Sequence, residues 1–484
     1  MQYKWTVLTV TTVGVLMSGI DGRIMIVGLP TVAASLRASA EQAIWFTQAY
    51  TIGSTIALLF IGRVSDIFGK VKVYALGFTL FTMGSVLTAL STMPDAFIAA
   101  RMAQGLGSAA LFANSAAIIT DTFPSNQLGV AMGVNQIGFR AGAMAGLTIS
   151  GLILSVLAWP FLFYINVPIG IFGTVWALRR LKETGRPERL APMDWQGFIT
   201  FTVFVATLLL TLTFAAYGFV DRSLVAVLGV VSACSLALFV RIELHKGSPM
   251  LDLGLLRIRE FTGGIITQLL NAIAWGGFLL VFSLYLQLVL GYTAFQAGVG
   301  ILPFDVTFLL VGPLSGRLSD KYGTRPFATA GLIVISLALL LTATAGISTP
   351  YTMIAVYLVI GGLGLGLFSS PNMSSIMGSV PDQRRSVASA LRGTFFNIGY
   401  TLSLNFAILV MAFTLPLPEI TQIISSLNVI GLPVAERIAF AGAIDHVYLV
   451  MAIINAVAII PNLLRGERKS SAKEAAAHGS LTPH

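Results

Sequence analysis

Residues 62–70 read GRVSDIFGK and residues 316–325 read GRLSDKYGTR, so the chain holds two copies of one short charged segment. The copies begin 254 residues apart (316 minus 62). Each copy lies between two long apolar runs, which indicates a tight turn joining two membrane-spanning helices. We call these two segments the repeat loops. A repeat of this kind within apolar sequence is typical of transporters built from duplicated helical bundles.

The composition predicts an all-α polytopic membrane protein. Hydrophobic residues make up 56% of the 484 residues and charged residues only 10%, which is too apolar for a water-soluble domain. A span needs about 20 mostly apolar residues, and the sequence contains fourteen runs of that kind. The single cysteine, Cys234, rules out an intrachain disulfide, and we expect no metal cluster. Since no nucleotide-binding loop is recognisable, we expect neither ATP hydrolysis nor another enzyme activity.

The order of the apolar runs predicts two six-helix bundles with an insertion between them. We expect residues 1–180 to form the first bundle and residues 260–465 to form the second. Residues 181–259 then contain basic loops and two extra transmembrane helices without a counterpart in the repeat. Residues 466–484 are polar and charged, which predicts a disordered cytoplasmic tail.

The net charge of +9 follows the predicted topology and does not indicate a nucleic-acid partner. With a cytoplasmic N-terminus, 23 of the 29 Lys and Arg residues fall in inner loops and tails, including a group at residues 384–392. Three fall in outer loops and three within spans: Arg37, Arg222 and Arg437, then Arg23, Arg101 and Arg140. The positive-inside rule predicts such an asymmetry. We therefore expect a multi-pass protein of the cell membrane with both termini in the cytoplasm.

Several further segments carry a family resemblance. They are SGIDGRIMIVGLP (18–30), RMAQGLGSA (101–109), WPFLFYINVPIG (159–170), MDWQG (193–197) and SLYLQLVLGYTAFQAGVGILP (283–303). With the repeat loops, their order resembles the 14-helix drug:proton antiporter family of the major facilitator superfamily, of the multidrug efflux type. The resemblance implies two six-helix bundles plus two inserted helices. It also implies export of small amphiphilic or drug-like compounds by alternating access, driven by the proton gradient without a cofactor. We expect a monomer.

Asp21 is the first candidate for proton coupling. It lies about sixteen residues into the first predicted helix, helix 1, near residues 5–33. An ionised aspartate costs about 2.5–3.5 kcal/mol at mid-span. Arg101 lies at a similar depth in helix 4, and in the resembled family the matching arginine is implicated in proton coupling. An approaching guanidinium favours the carboxylate, whereas its departure lets a proton return. The alternative is a buried ion pair that only fixes helix 1.

Arg140 and Asp305 are predicted to lie near mid-membrane on two helices that face each other in the resembled superfamily. We expect a charge pair between the bundles, either structural or opened by substrate. Helix 5 also carries small residues for close helix packing: Gly138, Gly142, Gly146 and Gly151. The resemblance places the family's Gly-Pro-x-x-Gly-Gly motif on residues 146–151, where the proline and one glycine are missing.

The repeat loops are expected to act as a cytoplasmic gate, by resemblance. Asp66 would accept hydrogen bonds from Arg63 or Lys70 and form a latch that stabilises the outward-facing state. The alternative is an exposed turn that satisfies helix ends. The predicted gate residues are Gly62, Arg63, Asp66, Gly69, Lys70, Gly316, Asp320 and Arg325.

Polar or amphipathic side chains within spans are candidates for lining a central cavity, although helix packing is the alternative role for each. They are Arg23, Gln104, Asn135, Gln136, Asn271, Tyr285, Gln287 and Asn397. The arginines and the incomplete helix 5 motif leave open a second function, which is a proton symporter or facilitator for an organic anion or metabolite. A membrane sensor or scaffold that transports nothing is a further alternative. The expected partners are a small-molecule substrate, protons and the lipid bilayer.

Overall fold

The computed structural model describes residues 3–183, 194–217, 220–246, 253–380, 385–416, 419 and 433–466, so the predicted tail lies almost wholly outside the described residues. Helices dominate these residues, and none of the described segments forms a β-strand. The first half contains seven helices. They are α1 (Tyr3–Ser35), α2 (Ala40–Phe68), α3 (Lys70–Ala89), α4 (Pro94–Thr122), α5 (Ser125–Val156), α6 (Phe161–Tyr164) and α7 (Asn166–Arg180).

Two inserted helices and the second half follow. The insertion contains α8 (Trp195–Tyr217) and α9 (Arg222–His245), and a short 3₁₀-helix covers Leu253–Arg257. The second half contains α10 (Arg259–Trp275), α11 (Phe278–Leu284), a π-helical turn (Tyr285–Val289), α12 (Ala294–Gly300), α13 (Leu302–Tyr322), α14 (Thr324–Thr342), α15 (Tyr351–Gly378), α16 (Arg385–Ala412), α17 (Val434–Val457) and α18 (Ile459–Leu464).

The helices account for fourteen spans, as the sequence predicts. Thirteen stretches of the described chain are long and apolar enough to cross a membrane. Some of these join consecutive helices, such as Phe161–Arg180 and Ala294–Ser319. The remaining span is α2, a helix of 29 residues that packs against α4. The chain is therefore a polytopic helical membrane protein with six, two and six spans.

The internal repeat extends beyond the repeat loops. Ser39 and Gln42 form a capping box at the start of α2, and Thr293 and Gln296 form the same box at the start of α12. These caps are 254 residues apart (293 minus 39), which is also the spacing of the repeat loops. The two halves therefore keep one register from the cap to the loop. We call the membrane face that carries the caps the cap face, and the other the repeat-loop face.

At the repeat-loop face, each repeat loop contains a second glycine, Gly69 or Gly323, whose backbone conformation would be strained in other residues. Gly69 has a φ of 102° and Gly323 a φ of 95°, a region that L side chains rarely adopt. Each glycine ends one helix and starts the next without a longer connection. The second glycine of each repeat loop thus reverses the chain direction between two spans.

Replacing Gly69 by alanine should lower the free energy of unfolding by about 1–3 kcal/mol, the usual cost of a strained backbone conformation. The added Cβ would also lie 2.7 Å from the carboxyl group of Glu183. Thermal unfolding of the purified protein in detergent measures this change. Gly62→Ala is the matched control in the same motif, since its Cβ would meet no atom within 4 Å. Equal losses for both variants would contradict the strain argument.

The two bundles contact each other most closely at the cap face. A Cβ on Gly151 of α5 would lie 2.6 Å from Phe295 Cα of α12, and one on Gly298 would lie 2.5 Å from the Leu147 carbonyl oxygen. Leu147 also belongs to an apolar cluster formed mainly by second-bundle side chains. The backbones of α5 and α12 therefore touch, which closes this side of the bundle interface.

The inserted helix α8 lies against one helix from each bundle, namely α2 and α16. The Thr213 hydroxyl donates to Gln48 Oε1 (3.0 Å), and the Gln48 amide nitrogen donates to Asn405 Oδ1. All three side chains are buried. The insertion therefore covers the seam between α2 and α16 and forms a polar contact within it.

Candidate functional site

Asp21 lies inside the first bundle, where its carboxylate accepts three side-chain hydrogen bonds. Arg101 Nη1 is 2.6 Å from Oδ2, while Gln104 Nε2 (2.8 Å) and Asn166 Nδ2 (2.9 Å) contact Oδ1. Asp21 is fully buried, and Arg101 is 1% exposed. The four residues come from α1, α4 and the start of α7. In this conformation the carboxylate is paired and sealed from water.

Arg101 is fixed by more than its carboxylate partner. Its Nε donates to the Phe46 carbonyl oxygen (3.2 Å), and its Nη1 also contacts Gln104 Oε1 (2.7 Å). The guanidinium lies 4.5 Å from the Tyr50 ring centroid and 5.5 Å from the Phe163 centroid, within cation–π range. The pair is therefore held in one geometry, and separating it requires movement of α1 relative to α4.

The structure thus brings together Asp21, Arg101 and Gln104, which the sequence nominated, and adds Ser85 and Asn166, which it did not. Ser85 on α3 accepts a hydrogen bond from Gln104 Nε2 (2.7 Å). Asn166 belongs to the WPFLFYINVPIG segment, which served only as a family signature. A buried asparagine side chain at the start of a span requires a hydrogen-bond partner. That requirement is the sequence signal that could have indicated a polar contact for Asn166.

A second charged site lies between the bundles. Arg23 of α1 contacts both carboxylate oxygens of Asp305 on α13, with Nη1 at 2.6 and 2.9 Å. The side chain of Asp305 is 7% exposed and that of Arg23 21%. Both residues lie near the middle of their spans, so the ion pair crosses the bundle interface at mid-depth.

Asp305 forms its direct ion pair with Arg23 and not with Arg140 in this conformation, although the charges of Arg140 and Asp305 interact, so the predicted charge pair stays a prediction. The guanidinium carbon of Arg140 lies 3.6 Å from the ring centroid of Phe308, and its Nη2 donates to Ser369 Oγ (3.2 Å). Arg140 and Arg23 both lie at mid-depth, but Arg23 takes the carboxylate because α1 presents it towards α13. Among the described residues, no carboxylate forms an ion pair with Arg140.

The sequence predicts that Arg392 belongs to the basic residues of an inner loop, but the structure places it within α16. Its charge interacts electrostatically with Arg140, as do those of Arg23 and Asp305. Its Nε is buried and has no hydrogen-bond partner in the described structure. We call Arg23, Arg140, Asp305, Phe308 and Arg392 the interface cluster. It contains three guanidinium groups and one carboxylate.

A cavity of about 40 Å³ lies beside four members of this cluster, all except Arg392. Its lining comes from α1, α5 and α13: Arg23, Phe139, Arg140, Ala143, Met144, Asp305, Phe308 and Leu309. The volume suits a few water molecules, whereas a drug-sized ligand needs about 300–1,000 Å³. The bundles must therefore separate before a substrate of that size can enter.

The first repeat loop makes a different contact from the predicted one. Lys70 Nζ lies 2.6 Å from Asp121 Oδ2 at the end of α4, and Glu183 accepts hydrogen bonds from the backbone nitrogen of Val71 (3.2 and 3.3 Å). In the second copy, Arg325 donates to the Leu463 carbonyl oxygen. The side chains of Arg63, Asp66 and Asp320 lie outside the described residues, so the predicted latch stays a prediction.

The glycines of α5 pack against two different helices. A Cβ on Gly138 would meet the side chain of Thr12, and those on Gly142 and Gly146 would meet the carbonyl groups of α1. Gly151 instead faces α12, as described above. The close approach of α1 and α5 therefore depends on the first three glycines, and closure of the cap face depends on the fourth.

Most of the other predicted cavity residues make contacts within one bundle. Asn135 Nδ2 donates to Ser115 Oγ (2.9 Å), and Asn271 Nδ2 donates to Asn455 Oδ1 (2.9 Å). Tyr285 donates to the Gly346 carbonyl oxygen (2.8 Å), and Gln287 donates to Ser283 (3.0 Å). Gln136 and Asn397 are half-buried, and their side chains form no hydrogen bond within the described chain. Arg23 is the member of this set that contacts the opposite bundle.

Comparisons with known proteins identify relatives over most of the chain. A family model described as Major Facilitator Superfamily matches residues 11–404 and 264–483. The chain is 31% identical over 406 residues to the riboflavin transporter RibZ of Clostridioides difficile, covering 84% of this chain and 88% of RibZ. It is 30% identical over 404 residues to the multidrug resistance protein Stp of Mycobacterium tuberculosis, covering 83% and 74%. A crystal structure of a bacterial homolog to the human lysosomal transporter Spinster, inward-facing and unoccupied, has a similar fold (TM-score 0.65, 15% identity, 96% and 98% covered).

Proposed function

Because the chain belongs to the Major Facilitator Superfamily, a family of transporters rather than enzymes, we propose that it exports small amphiphilic compounds in exchange for protons. The relatives support a membrane transporter of small molecules, and several are multidrug resistance or efflux proteins. In our proposal the proton gradient is the driving force and no cofactor takes part. The protein acts as a monomer in the cell membrane, with both termini and the repeat-loop face in the cytoplasm, which agrees with the positive-inside bias.

One observation carries this proposal: α1 bears both a sealed carboxylate and a charge at the bundle interface. Asp21 and Arg23 are two residues apart, which separates their directions by about 200° around the helix. Asp21 faces Arg101 within the first bundle, and Arg23 faces Asp305 in the second. A movement of α1 therefore changes both ion pairs together.

The proposed coupling follows from the electrostatics of these pairs. When Arg101 moves away from Asp21, the buried carboxylate loses its counter-charge and takes up a proton, because desolvation disfavours the charged form. The same movement shifts Arg23 relative to Asp305 and loosens the contact between bundles. When the proton leaves, Arg101 returns and the bundles close again. Proton binding and access to the interface are thus linked through one helix.

A second candidate function is symport or facilitated transport of an organic anion or metabolite. The excess of arginine in the interface cluster favours it, because a strictly cation-selective site would carry excess carboxylate. The riboflavin transporter RibZ, at 31% identity, gives it further support. A symporter would use the same two sites but move the proton in the same direction as the substrate, whereas a facilitator would move no proton.

Proteoliposomes that hold a pH-sensitive dye distinguish these functions. Ethidium (a cation), riboflavin and fluorescein (an anion) are added one at a time, and we expect at least one of them to drive protons in the opposite direction to the compound. Protein-free liposomes and the Asp95→Asn variant, which changes an exposed carboxylate, serve as controls. Protons that move with the compound would replace antiport by symport. Flux without proton movement would leave a facilitator.

A further inference from the structure

We propose that the interface cluster binds the acidic group of an aromatic organic anion, and that such anions are the substrates. This inference rests on the proposed function, because it takes the cluster as the substrate site of a transporter. It is supported by the charges of the residues between the bundles, by their contacts and by their hydrogen-bond donors that have no partner in the described structure. Both bundles contribute, so an anion bound here would contact α1, α5 and α13 together.

The balance of charge is the first argument. Asp305 neutralises one guanidinium, that of Arg23, through contacts of 2.6 and 2.9 Å. Arg140 has only a neutral hydroxyl and an aromatic ring as its described partners. A half-buried guanidinium without a carboxylate in direct contact is unfavourable, and an anion from outside would reduce that penalty. The cluster is therefore short of negative charge when no substrate is bound.

Unused hydrogen-bonding capacity is the second argument. The buried Nε of Arg392 has no partner in the described structure, and Arg140 uses Nη2 for a single hydrogen bond of 3.2 Å. Guanidinium groups bind carboxylates through two parallel hydrogen bonds when their donors are free. Arg140 lines the cavity and can thus supply donors to a carboxylate, while Arg392 adds a positive charge within electrostatic range.

The apolar side of the cavity indicates the rest of the ligand. Phe308 already stacks on the Arg140 guanidinium, and Phe139 lines the same cavity. Once the bundles separate, a planar ring fits beside these side chains while its carboxylate reaches the arginines. The substrate carboxylate then competes with Asp305 for Arg23. Binding would therefore weaken the ion pair that crosses the interface.

Binding of two dyes to the full-length protein in detergent tests this inference. Fluorescein and rhodamine 123 share a xanthene ring system, but fluorescein is anionic and rhodamine 123 is cationic. We expect fluorescence anisotropy to report binding of fluorescein at least about tenfold tighter than that of rhodamine 123. Dye bound by detergent micelles alone is subtracted.

Three variants test whether fluorescein binding depends on the charges of the interface cluster. Arg140→Gln should weaken fluorescein binding about tenfold, whereas Arg222→Gln, which changes an exposed arginine at the start of α9, should not alter it. Asp305→Asn should preserve or tighten fluorescein binding, since it removes the competing carboxylate. A cation site would lose affinity in the Asp305→Asn variant, so this change separates the two charge preferences even if Arg140→Gln is poorly folded.

Several outcomes would overturn the inference. They are equal or tighter binding of rhodamine 123, weaker fluorescein binding by Asp305→Asn, and no binding of either dye. Rhodamine 123 exchanged for protons would overturn the inference while leaving the proposed exporter intact. Fluorescein binding that depends on Arg140, without any proton movement, would support the inference and reject proton-coupled export.

Discussion

Replacing Asp21 by asparagine is expected to abolish substrate-driven proton movement and to lower the free energy of unfolding by about 3–5 kcal/mol. The substitution keeps the shape of the side chain but leaves the Arg101 guanidinium buried without a counter-charge. The new amide also cannot take up and release a proton. Proton flux in dye-loaded proteoliposomes and thermal unfolding in detergent measure the two effects separately.

A double variant separates loss of coupling from loss of stability. Asp21→Asn combined with Arg101→Gln removes both buried charges, so we expect much of the lost stability to return while proton movement stays absent. Asp95→Asn makes the same change on an exposed carboxylate and should alter neither quantity. Proton movement at the wild-type rate in either variant without the Asp21 carboxylate would reject its role as proton carrier.

The fold was largely predictable because a membrane restricts a chain to a few structures. Apolar runs of sufficient length specify spans, and the repeat loops specify the relation between the halves. The capping boxes at Ser39 and Thr293 keep the same spacing of 254 residues as these loops. These signals are local in sequence, so the prediction of fourteen spans in two bundles was confirmed.

The ion pairs of the candidate site were predictable only where depth in the membrane alone determines which charged residue is the partner. Asp21 and Arg101 have similar depths in adjacent helices, and the structure places them in contact. Depth does not distinguish Arg23 from Arg140 as the partner of Asp305, because both lie near mid-span. The directions in which Arg23 and Arg140 point from α1 and α5 determine which of them contacts Asp305. Those directions depend on how the helices pack. Sequence reasoning therefore identified the charged residues between the bundles but did not predict the direct ion pair of Arg23 with Asp305.

Arg392 shows a second limit of sequence reasoning. It follows Arg384 and Arg385 closely, so its charge was assigned to the inner loop, but α16 continues through it. The repeat gave no help with the proton site either. The residue 254 positions after Asp21 is Trp275, which packs in the apolar core of the second bundle. The duplicated halves share their turns and caps but not their buried charges.

Replacing Gly151 by valine should prevent closure of the cap face and reduce transport. The new Cβ would lie 2.6 Å from Phe295 Cα and 2.8 Å from the Ala294 carbonyl oxygen. Both are backbone atoms of α12, so neither moves aside without separating the two helices. Overpacking of this kind costs about 1–3 kcal/mol. That cost lowers the population of the closed state by about fivefold to 150-fold.

Pulsed electron paramagnetic resonance between spin labels at Val156 and Val299 measures the separation of α5 and α12. Cys234 is the chain's single cysteine, so a Cys234→Ser background allows both labels to be placed specifically. We expect Gly151→Val to lengthen the mean distance and to slow substrate flux in parallel. Gly133→Val is the matched control, because it adds the same side chain to α5 where no atom lies within 4 Å of the Cβ position. An unchanged distance with normal flux would mean that this backbone contact does not seal the cap face, and the movement that opens the transporter would have to lie elsewhere along α1 and α5.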